Sequence, residues 1–459
     1  MQNTVAYQLF QSLSANEVLR FEKFLNSPYF NQRQDVRDLL GYFRQAAELS
    51  DKKALFAQLY PDQAFNNLQL NYVLGFFAER LEQFLACEEL QSDHFQQQLL
   101  RCRAFRKRGL SRHFERNAQA LARARGQAPL RNAEYWLQTY QLESEVFAQQ
   151  MPGSRIAPDN LPRLIYAFNQ FVALESLRWA STAHALSAVS KGAAQELPFT
   201  DTAIGYAESS QEPATMLLRE SLEVLRNPAA ETAFQRLKTL ISTHAPLFSP
   251  TEARDILMAA INFCIRRHNQ GDKHYTREAL ELYKKGLETG ILLEHEQLSR
   301  YTYGNINNLA HLVGETAWAK KFLDTYRPCL PAAEREKVYQ YNIAIHHFRC
   351  SEYAQALELL RDIEFSEVFV NLDVRKMLVR SYFELGEWPA LFSLLDSFRA
   401  YLRRQKQLGY HRESYLNFLK FTLCVEKTMR AGKAKRQALA RRIAATPSVA
   451  EREWLLSKL

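Results

Sequence analysis

Residues able to do covalent or metal chemistry stand apart from one another along this sequence. His295-Glu296 begins like a zinc-protease signature, but Ser299 stands where the second metal-binding His belongs. The adjacent pair His346-His347 points about 100° apart around a helix, which disfavours joint ligation of one ion. The six cysteines form no CxxC pair, and the sequence has no glycine-rich phosphate loop and no G-x-S-x-G motif. We therefore expect no catalytic residues, no metal site, no cofactor and no enzyme activity.

Clustered cations offer a second kind of chemistry, the binding of phosphates or acidic partners. Residues 101–131 include ten Lys or Arg and one acid, Glu115. This excess predicts an electrostatic surface, which we call the basic patch. Its candidate residues are Arg101, Arg103, Arg106, Lys107, Arg108, Arg112 and Arg116. The alternative interpretation is that these side chains merely cover the outer faces of helices. Phe105 and Phe114 stand at core spacings, so stacking on bases is not predicted.

A second excess of cations lies in residues 403–442, and the same two interpretations apply to it. Membrane-surface binding there is not predicted, because residues 427–445 contain no Trp or Phe to insert. No apolar run approaches the roughly 18 uninterrupted residues of a membrane helix. The first ten residues, MQNTVAYQLF, lack a secretory pattern. We therefore expect a cytoplasmic protein without membrane insertion.

The elements that must position these side chains are helices. Of the 459 residues, 47% are hydrophobic and 24% are charged, which is typical of folded domains, whereas Gly and Pro number only 15 each. All-β folds need turn residues every eight to twelve positions or so, and the long segments here keep a helical apolar period instead. The sequence thus predicts an all-α protein, long enough for roughly three domains or one repeat array.

The first part of the chain predicts an N-terminal helical module. Ser14 and Glu17 form an S-x-x-E capping box that starts a helix. Pro28, within the segment SPYFN, disfavours helical angles at Ser27 and ends that helix. Further helices are expected over residues 34–47, 53–59 and 68–90.

Three segments of the C-terminal half share one pattern. The turns between their helices fall at Gly314, Ser351 and Gly386, about 35 residues apart, close to a 34-residue period. Small residues at Ala319 and Ala356 allow two helices to approach closely, and a looser fourth copy covers residues 262–287. This pattern resembles tetratricopeptide (TPR) repeats. The resemblance implies a right-handed α-solenoid of helical hairpins, with large wedge residues such as Trp388 largely buried at the start of a second helix.

Three short segments carry a further resemblance. The SPYFN turn, the NFCI stretch at 262–265 and the final EWLLSKL are similar to segments of a family of uncharacterised bacterial all-helical proteins. That resemblance implies a shared fold and no activity. The organisation we predict is an N-terminal helical module at 1–95, divergent helical hairpins at 96–250, TPR-like repeats at 251–402 and basic C-terminal capping helices at 403–459.

TPR proteins line a concave surface with the first helix of each pair, so the resemblance implies a partner-binding face. The candidates on this concave face are Asn308, His311, Tyr341, Ile345, Arg349, Lys376, Arg380 and Glu384. Such a mixed polar and aromatic groove suits an extended peptide or a helix. The TPR carboxylate clamp is not predicted, because its cationic positions fall on Gly304, Asp373 and Met377.

The function predicted from these observations is that of a macromolecule-binding scaffold or adaptor. It would recognise a protein or peptide through the concave face of a TPR-like array. The alternative is nucleic-acid binding through basic helical faces. No residue pattern indicates the identity of the partner.

Overall fold

The computed structural model describes residues 3–45, 51–151, 158–187, 197–361, 363, 367–405, 408 and 410–459. Helices make up 79% of it, and the described residues contain no β-strand, which confirms the all-α prediction. Within the same residues, no helix has the length and apolarity needed to cross a membrane. The chain forms two compact units, Met1–Ser176 and Leu177–Leu459.

The first unit is built from helices α1 to α8 and the beginning of α9. Their bounds are α1 (Val5–Gln11), α2 (Ala15–Asn26), α3 (Gln34–Gln45), α4 (Lys52–Leu59), α5 (Asn67–Ser92), α6 (His94–Lys107), α7 (Ser111–Gln127), α8 (Ala133–Gln150) and α9 (Leu161–Ser187). The predicted capping box is present: the backbone N–H of Ser14 donates to the Glu17 carboxylate at 2.7 Å. The predicted end of α3 at residue 47 lies outside the described residues.

The SPYFN turn is held by one buried amide. The Nδ2 group of Asn31 donates to the backbone oxygens of Leu25 and Arg33, each at 3.0 Å. The bond to Leu25 satisfies a carbonyl group that the end of α2 leaves without a helical partner, and the bond to Arg33 ties the turn to the start of α3. Close by, α2, α3 and α5 bury Phe21, Phe43 and Phe77 in one aromatic core.

The second unit continues with helices α10 to α23. Their bounds are α10 (Thr200–Ser209), α11 (Pro213–Arg226), α12 (Glu231–His244), α13 (Pro250–Asn269), α14 (His274–Glu288), α15 (Arg300–Leu312), α16 (Thr316–Tyr326), α17 (Arg335–Arg349), α18 (Tyr353–Leu360), α19 (Val368–Leu385), α20 (Trp388–Arg404), α21 (Tyr410–Thr428), α22 (Lys433–Ala445) and α23 (Arg452–Ser457). Short 3₁₀ turns follow α12 at Ala245–Leu247 and α16 at Arg327–Cys329.

One turn geometry recurs between paired helices. A residue with positive φ ends the first helix, and the next N–H bonds to the carbonyl five residues earlier, as in a Schellman motif. At the five turns of this kind the positive-φ residues are Gly109, Gly271, Gly314, Ser351 and Gly386. For Gly314 the following bond joins Glu315 N to Ala310 O at 2.8 Å, and for Ser351 it joins Glu352 N to His347 O at 2.8 Å. The turns predicted at Gly314, Ser351 and Gly386 are therefore confirmed.

The first helices of successive pairs are also joined by a side-chain hydrogen bond. Asn307 on α15 donates through Nδ2 to the backbone oxygen of Asn342 on α17 at 3.0 Å, and the two residues are 35 positions apart. The Nδ2 group of Asn342 bonds in turn to Val338 O. Both asparagines are buried, so they fix the register of α15 against α17.

The residues expected to set helix spacing differ in how far they are buried. Ala319 and Ala356 are fully buried, as close helix approach requires. Trp388 begins α20 as predicted, but it is only partly buried, less completely than a wedge residue was expected to be. One edge packs against Phe383 with the rings 5.5 Å apart. Part of the side chain stays open to solvent because Trp388 lies in the first turn of α20, immediately after the exposed residues 385–387.

Candidate functional site

The basic patch lies on the hairpin of α6 and α7 in the first unit. Two of its seven residues form ion pairs with one carboxylate on α8. Arg103 Nε donates to Glu145 Oε1 at 2.7 Å, and Arg106 Nε donates to Glu145 Oε2 at 2.9 Å. The Glu145 side chain is only 8% exposed. Burial by itself raises the pKa of Glu145, but hydrogen bonds from the two guanidinium groups outweigh it, and the pKa is lowered.

The other five cations of the patch remain on the surface. Arg101, Lys107, Arg108, Arg112 and Arg116 are exposed, and none of them has a carboxylate at ion-pair distance among the residues the structure describes. Arg108 donates one hydrogen bond, to the backbone oxygen of Ala104. The structure thus divides the predicted patch into a structural pair and five uncovered cations.

Aromatic side chains near the patch belong to the hairpin core. Phe114 is buried, and Phe105 is half-buried in the same cluster. The prediction that these rings occupy core positions is confirmed. Binding by stacking of bases on Phe105 or Phe114 is therefore not available on this surface.

The second cationic run, on α20 to α22, is also largely at the surface. Its exposed members are Arg403, Arg404, Lys427, Arg430, Lys433, Lys435, Arg441 and Arg442. Lys406 lies outside the described residues. Unlike the basic patch, this run is spread over three helices.

The α15 and α17 part of the predicted concave face is mixed in exposure. Arg349 is exposed and Asn308 is half-buried, whereas Ile345 is buried. Tyr341 is half-buried in the same cluster as Ile345, and burial raises the pKa of its phenol. His311 points at another side chain, with its Nε2 atom 3.2 Å from His346 Nδ1. Arg349 is thus the most exposed of these positions, and Asn308 is partly open to solvent.

The α19 part of the same face is covered by residues 451–458, which include α23. Arg380 Nη1 donates to Glu451 Oε2 at 2.6 Å, and Lys376 Nζ lies 3.4 Å from Glu451 Oε1. Glu384 accepts two hydrogen bonds, one from the indole N–H of Trp454 at 2.6 Å and one from Lys458 Nζ at 2.7 Å. Three residues predicted to contact a partner, Lys376, Arg380 and Glu384, therefore contact residues of the chain itself.

Apolar contacts complete this docking. Trp454 is 7% exposed and packs edge-on against Phe383 with the rings 5.1 Å apart. The Arg380 guanidinium lies over the rings of Phe348 and Trp454 at 4.7 and 5.3 Å, within the range of cation–π contacts. The surface of α19 therefore binds a helical segment through one indole, one acid and one base.

A cavity of about 320 Å³ opens between α9, α11 and α13 in the second unit. Leu218, Leu225 and Phe248 supply apolar wall, while Arg178 and Asp255 supply charge. No sequence pattern indicates this cavity, because its walls come from three helices whose lining residues do not form a local motif. α11 and α13 are each the first helix of a packed pair, α11 with α12 and α13 with α14.

Two carboxylates of these surfaces were also missed from the sequence. Glu145 meets Arg103 from 42 positions away, and Glu451 meets Arg380 from 71 positions away. No spacing rule connects residues so far apart in the chain. Only the packing of the helices indicates which acid neutralises which base.

No protein-family model, curated protein or solved structure gives a significant match to this chain.

Proposed function

We propose that this chain is a macromolecule-binding scaffold or adaptor that recognises a protein partner through an extended or helical peptide segment. In this proposal the hairpins of the second unit form a right-handed TPR-like array, and the first helices of the pairs supply the binding face. The recurring turn geometry and the Asn307–Asn342 contact between first helices support the array.

The observation that carries the proposal is the docking of residues 451–458 on α19. Lys376, Arg380 and Glu384 there hold an acid, an indole and an amine. A first helix of this chain therefore has the chemistry to bind a helical peptide. An aromatic anchor with flanking charge pairs is the usual composition of a peptide-binding hot spot.

The face continues onto positions that the 451–458 segment does not contact. Arg349 on α17 and Asn308 on α15 reach the surface, and Leu312 is 51% exposed one turn beyond Asn308. Asn262 at the cavity on α13 is exposed as well. A partner segment lying along these helices would meet alternating amide, apolar and cationic groups.

Site-specific photo-crosslinking in cells tests this surface. A crosslinking side chain at 262, 308 or 349 is expected to capture the same partner, because the three positions share one face in the proposed array. The same side chain at Lys321, which is exposed on the second helix α16, serves as the control and should capture none of it. Equal capture at 321 would show that the concave face is not the binding surface.

A matched pair of variants adds a second readout. Asn308→Ala with Arg349→Ala should release the crosslinked partner, because truncation of a hot-spot residue near the centre of an interface costs about 2 kcal/mol or more. Arg403→Ala with Lys321→Ala removes exposed side chains elsewhere and should leave capture unchanged. Retention of the partner by the first variant would reject the proposed face.

Nucleic-acid binding by the basic patch is the second candidate function. The observation that favours it is the set of five exposed cations on α6 and α7 that no described carboxylate neutralises. Each phosphate contact made by such a cation releases counterions, so binding should weaken steeply with salt.

The test uses a fluorescent single-stranded RNA of mixed sequence, titrated at several salt concentrations. The variant carries R101Q, K107Q, R112Q and R116Q, because Arg103 and Arg106 must stay to neutralise buried Glu145. If the patch binds RNA, the slope of log affinity against log salt should fall by about 0.7 for each phosphate that the variant no longer neutralises. A control with K23Q, K53Q, K273Q and K321Q removes the same charge from exposed sites outside both cationic runs. Equal slopes for the two variants would show that the basic patch contributes no more to RNA binding than other exposed cations do, and would reject it as the binding site.

A further inference from the structure

Three potential metal ligands converge at the ends of α15 and α17. His311 lies in the last turn of α15, His346 lies in the last turn of α17, and Cys350 is the residue that caps α17. One ligand atom from each lies within 4.8 Å of the other two. No other group of three or more His, Cys, Asp or Glu side chains meets this condition among the described residues.

The register of the two helices explains why the three meet. The Asn307–Asn342 hydrogen bond aligns residues that are 35 positions apart. One helical turn further on, the same alignment brings His311 beside His346, also 35 positions apart. Cys350 follows His346 by four residues and therefore lies on the same face. The cluster is a product of the helix pairing that also orders this part of the fold.

The distances approach those of a bound transition metal. His311 Nε2 lies 3.2 Å from His346 Nδ1, and Cys350 Sγ lies 3.9 Å from His346 Nε2. Around a tetrahedral zinc ion, two nitrogens stand about 3.3 Å apart, and a nitrogen and a thiolate sulfur stand about 3.6 Å apart. Because His346 ligates through one nitrogen at a time and the three ligand atoms lie within 4.8 Å of one another, closure needs a ring rotation and a shift of about 1 Å.

One polar atom of the cluster is not satisfied by the described part of the chain. Nδ1 of His311 is buried and has no hydrogen-bond partner there. In a contact between two neutral imidazoles, only one N–H is shared, and the rest of each ring must find other partners. Binding of a metal would therefore cost the His311 ring little free energy, because its nitrogen lone pair would exchange one weak hydrogen bond for a coordinate bond.

From this geometry we propose that His311, His346 and Cys350 bind one zinc ion and join α15 to α17. Two imidazole nitrogens and one thiolate form a borderline-soft ligand set that suits zinc and not Mg²⁺ or Ca²⁺. On binding, the Cys350 Sγ–H bond breaks, its proton goes to solvent, and the thiolate electron pair forms the S–Zn bond. Three protein ligands leave the fourth tetrahedral position to a water molecule.

The proposal departs from the expectation, based on sequence spacing, that the chain has no metal site. That expectation considered His346 with His347, which indeed point to different partners, since His347 bonds to the Glu352 carboxylate. The second imidazole of the cluster comes instead from His311 on another helix.

Direct titration of the full chain tests the site. Protein stripped with a chelator and kept reduced is titrated with Zn²⁺ in competition with a chromophoric chelator. One equivalent of tight binding is expected. Cys350→Ser and His311→Gln should each weaken it at least about 10-fold, because each removes one of three ligands. Co²⁺ in place of Zn²⁺ should give a thiolate charge-transfer band that Cys350→Ser abolishes.

Two neighbouring residues serve as matched controls. His347 is adjacent to His346 but is held by Glu352, and Cys329 is a partly buried thiol outside the cluster. His347→Gln and Cys329→Ser should keep the tight equivalent and the cobalt band. The proposal is overturned if the wild-type chain binds no tight equivalent, or if Cys350→Ser keeps the cobalt band. Cys350→Ser is nearly isosteric, and far-ultraviolet circular dichroism verifies that its helices form.

Discussion

The basic patch on α6 and α7 and the α19 surface both present cations, but the fold leaves most cations of the first exposed and pairs Lys376 and Arg380 of the second with an acid. In the first, Arg101, Lys107 and Arg112 remain exposed to solvent. In the second, Lys376 and Arg380 are held by Glu451. A cation is available to a partner only where the fold brings no carboxylate to it. Predictions of binding surfaces from local charge therefore need the location of the distant acids.

The largest expected effect is on the free energy of unfolding, when the contact of the 451–458 segment with α19 is removed. Trp454→Ala removes the packing on Phe383 and leaves the Glu384 carboxylate without its indole donor. We expect the free energy of unfolding to fall by about 3 to 5 kcal/mol, as for other buried aromatic truncations. Urea unfolding followed by circular dichroism measures it. The α19 surface of this variant should then resemble the basic patch in its accessibility.

Two other tryptophans calibrate that effect. Trp388 packs on the same Phe383 but is less buried, so Trp388→Ala should cost about half as much. Trp179 is 51% exposed, and Trp179→Ala should cost less than about 1 kcal/mol. Equal losses for all three variants would show that burial against α19 is not what stabilises the 451–458 segment.

The next effect tests the structural pair in the basic patch. Glu145→Gln leaves Arg103 and Arg106 without their shared carboxylate and should cost about 1 to 2 kcal/mol at pH 7. The figure is reduced from that of a fully buried pair, because Arg103 is partly exposed. Glu115 is exposed on the same hairpin, and Glu115→Gln should change stability by less than about 0.5 kcal/mol. Urea unfolding of the two variants measures the difference.

The pH dependence of these variants sharpens the comparison. The pKa of Glu145 is lowered in the folded chain, so the unfolded chain binds its proton first as pH falls. The stabilisation is present in full above about pH 5 and is lost as pH drops below the ordinary glutamate pKa of about 4.3 through the lowered one. The free energy of unfolding should therefore change less between pH 7 and about pH 3.5 for Glu145→Gln than for the wild type. Identical changes would contradict the assigned role of Glu145.

The smallest expected effects concern the turn that both units share. Gly109 and Ser351 hold the same positive-φ position, with φ of 68° and 63°. Ser351→Gly should raise the free energy of unfolding by about 1 kcal/mol, since a side chain disfavours this conformation. Gly109→Ala should lower it by about the same amount. Thermal unfolding distinguishes the two directions, and a gain for Gly109→Ala or a loss for Ser351→Gly would refute the common turn.

Features that depend on a few consecutive residues could be predicted from the sequence. The capping box of Ser14 and Glu17 and the turns at Gly314 and Gly386 involve hydrogen bonds spanning three to five residues. Their chemistry is local, so the sequence contains all of it. The helical class follows for the same reason, because a 3.6-residue apolar period is a local property.

The site residues depend on contacts that no local rule encodes. A repeat pattern places Arg380 on a partner-binding face, but its distance to Glu451 is fixed by the packing of α19 against the C-terminal helices. Trp454 belongs to a recognisable terminal segment, yet nothing in that segment indicates where it docks. The His346–Cys350 spacing is visible as an i, i+4 pair. The third ligand of that cluster becomes visible only through the 35-residue alignment of α15 with α17.

The distance between Arg380 and Glu451 also has a consequence for synthesis. At about 5 to 20 residues per second, a ribosome needs about 4 to 14 seconds to add the 71 residues that separate them. During that interval Phe383 and the α19 cations are made but have no Trp454 or Glu451 to contact. The nascent chain therefore presents this surface to chaperones for several seconds before its own segment closes over it.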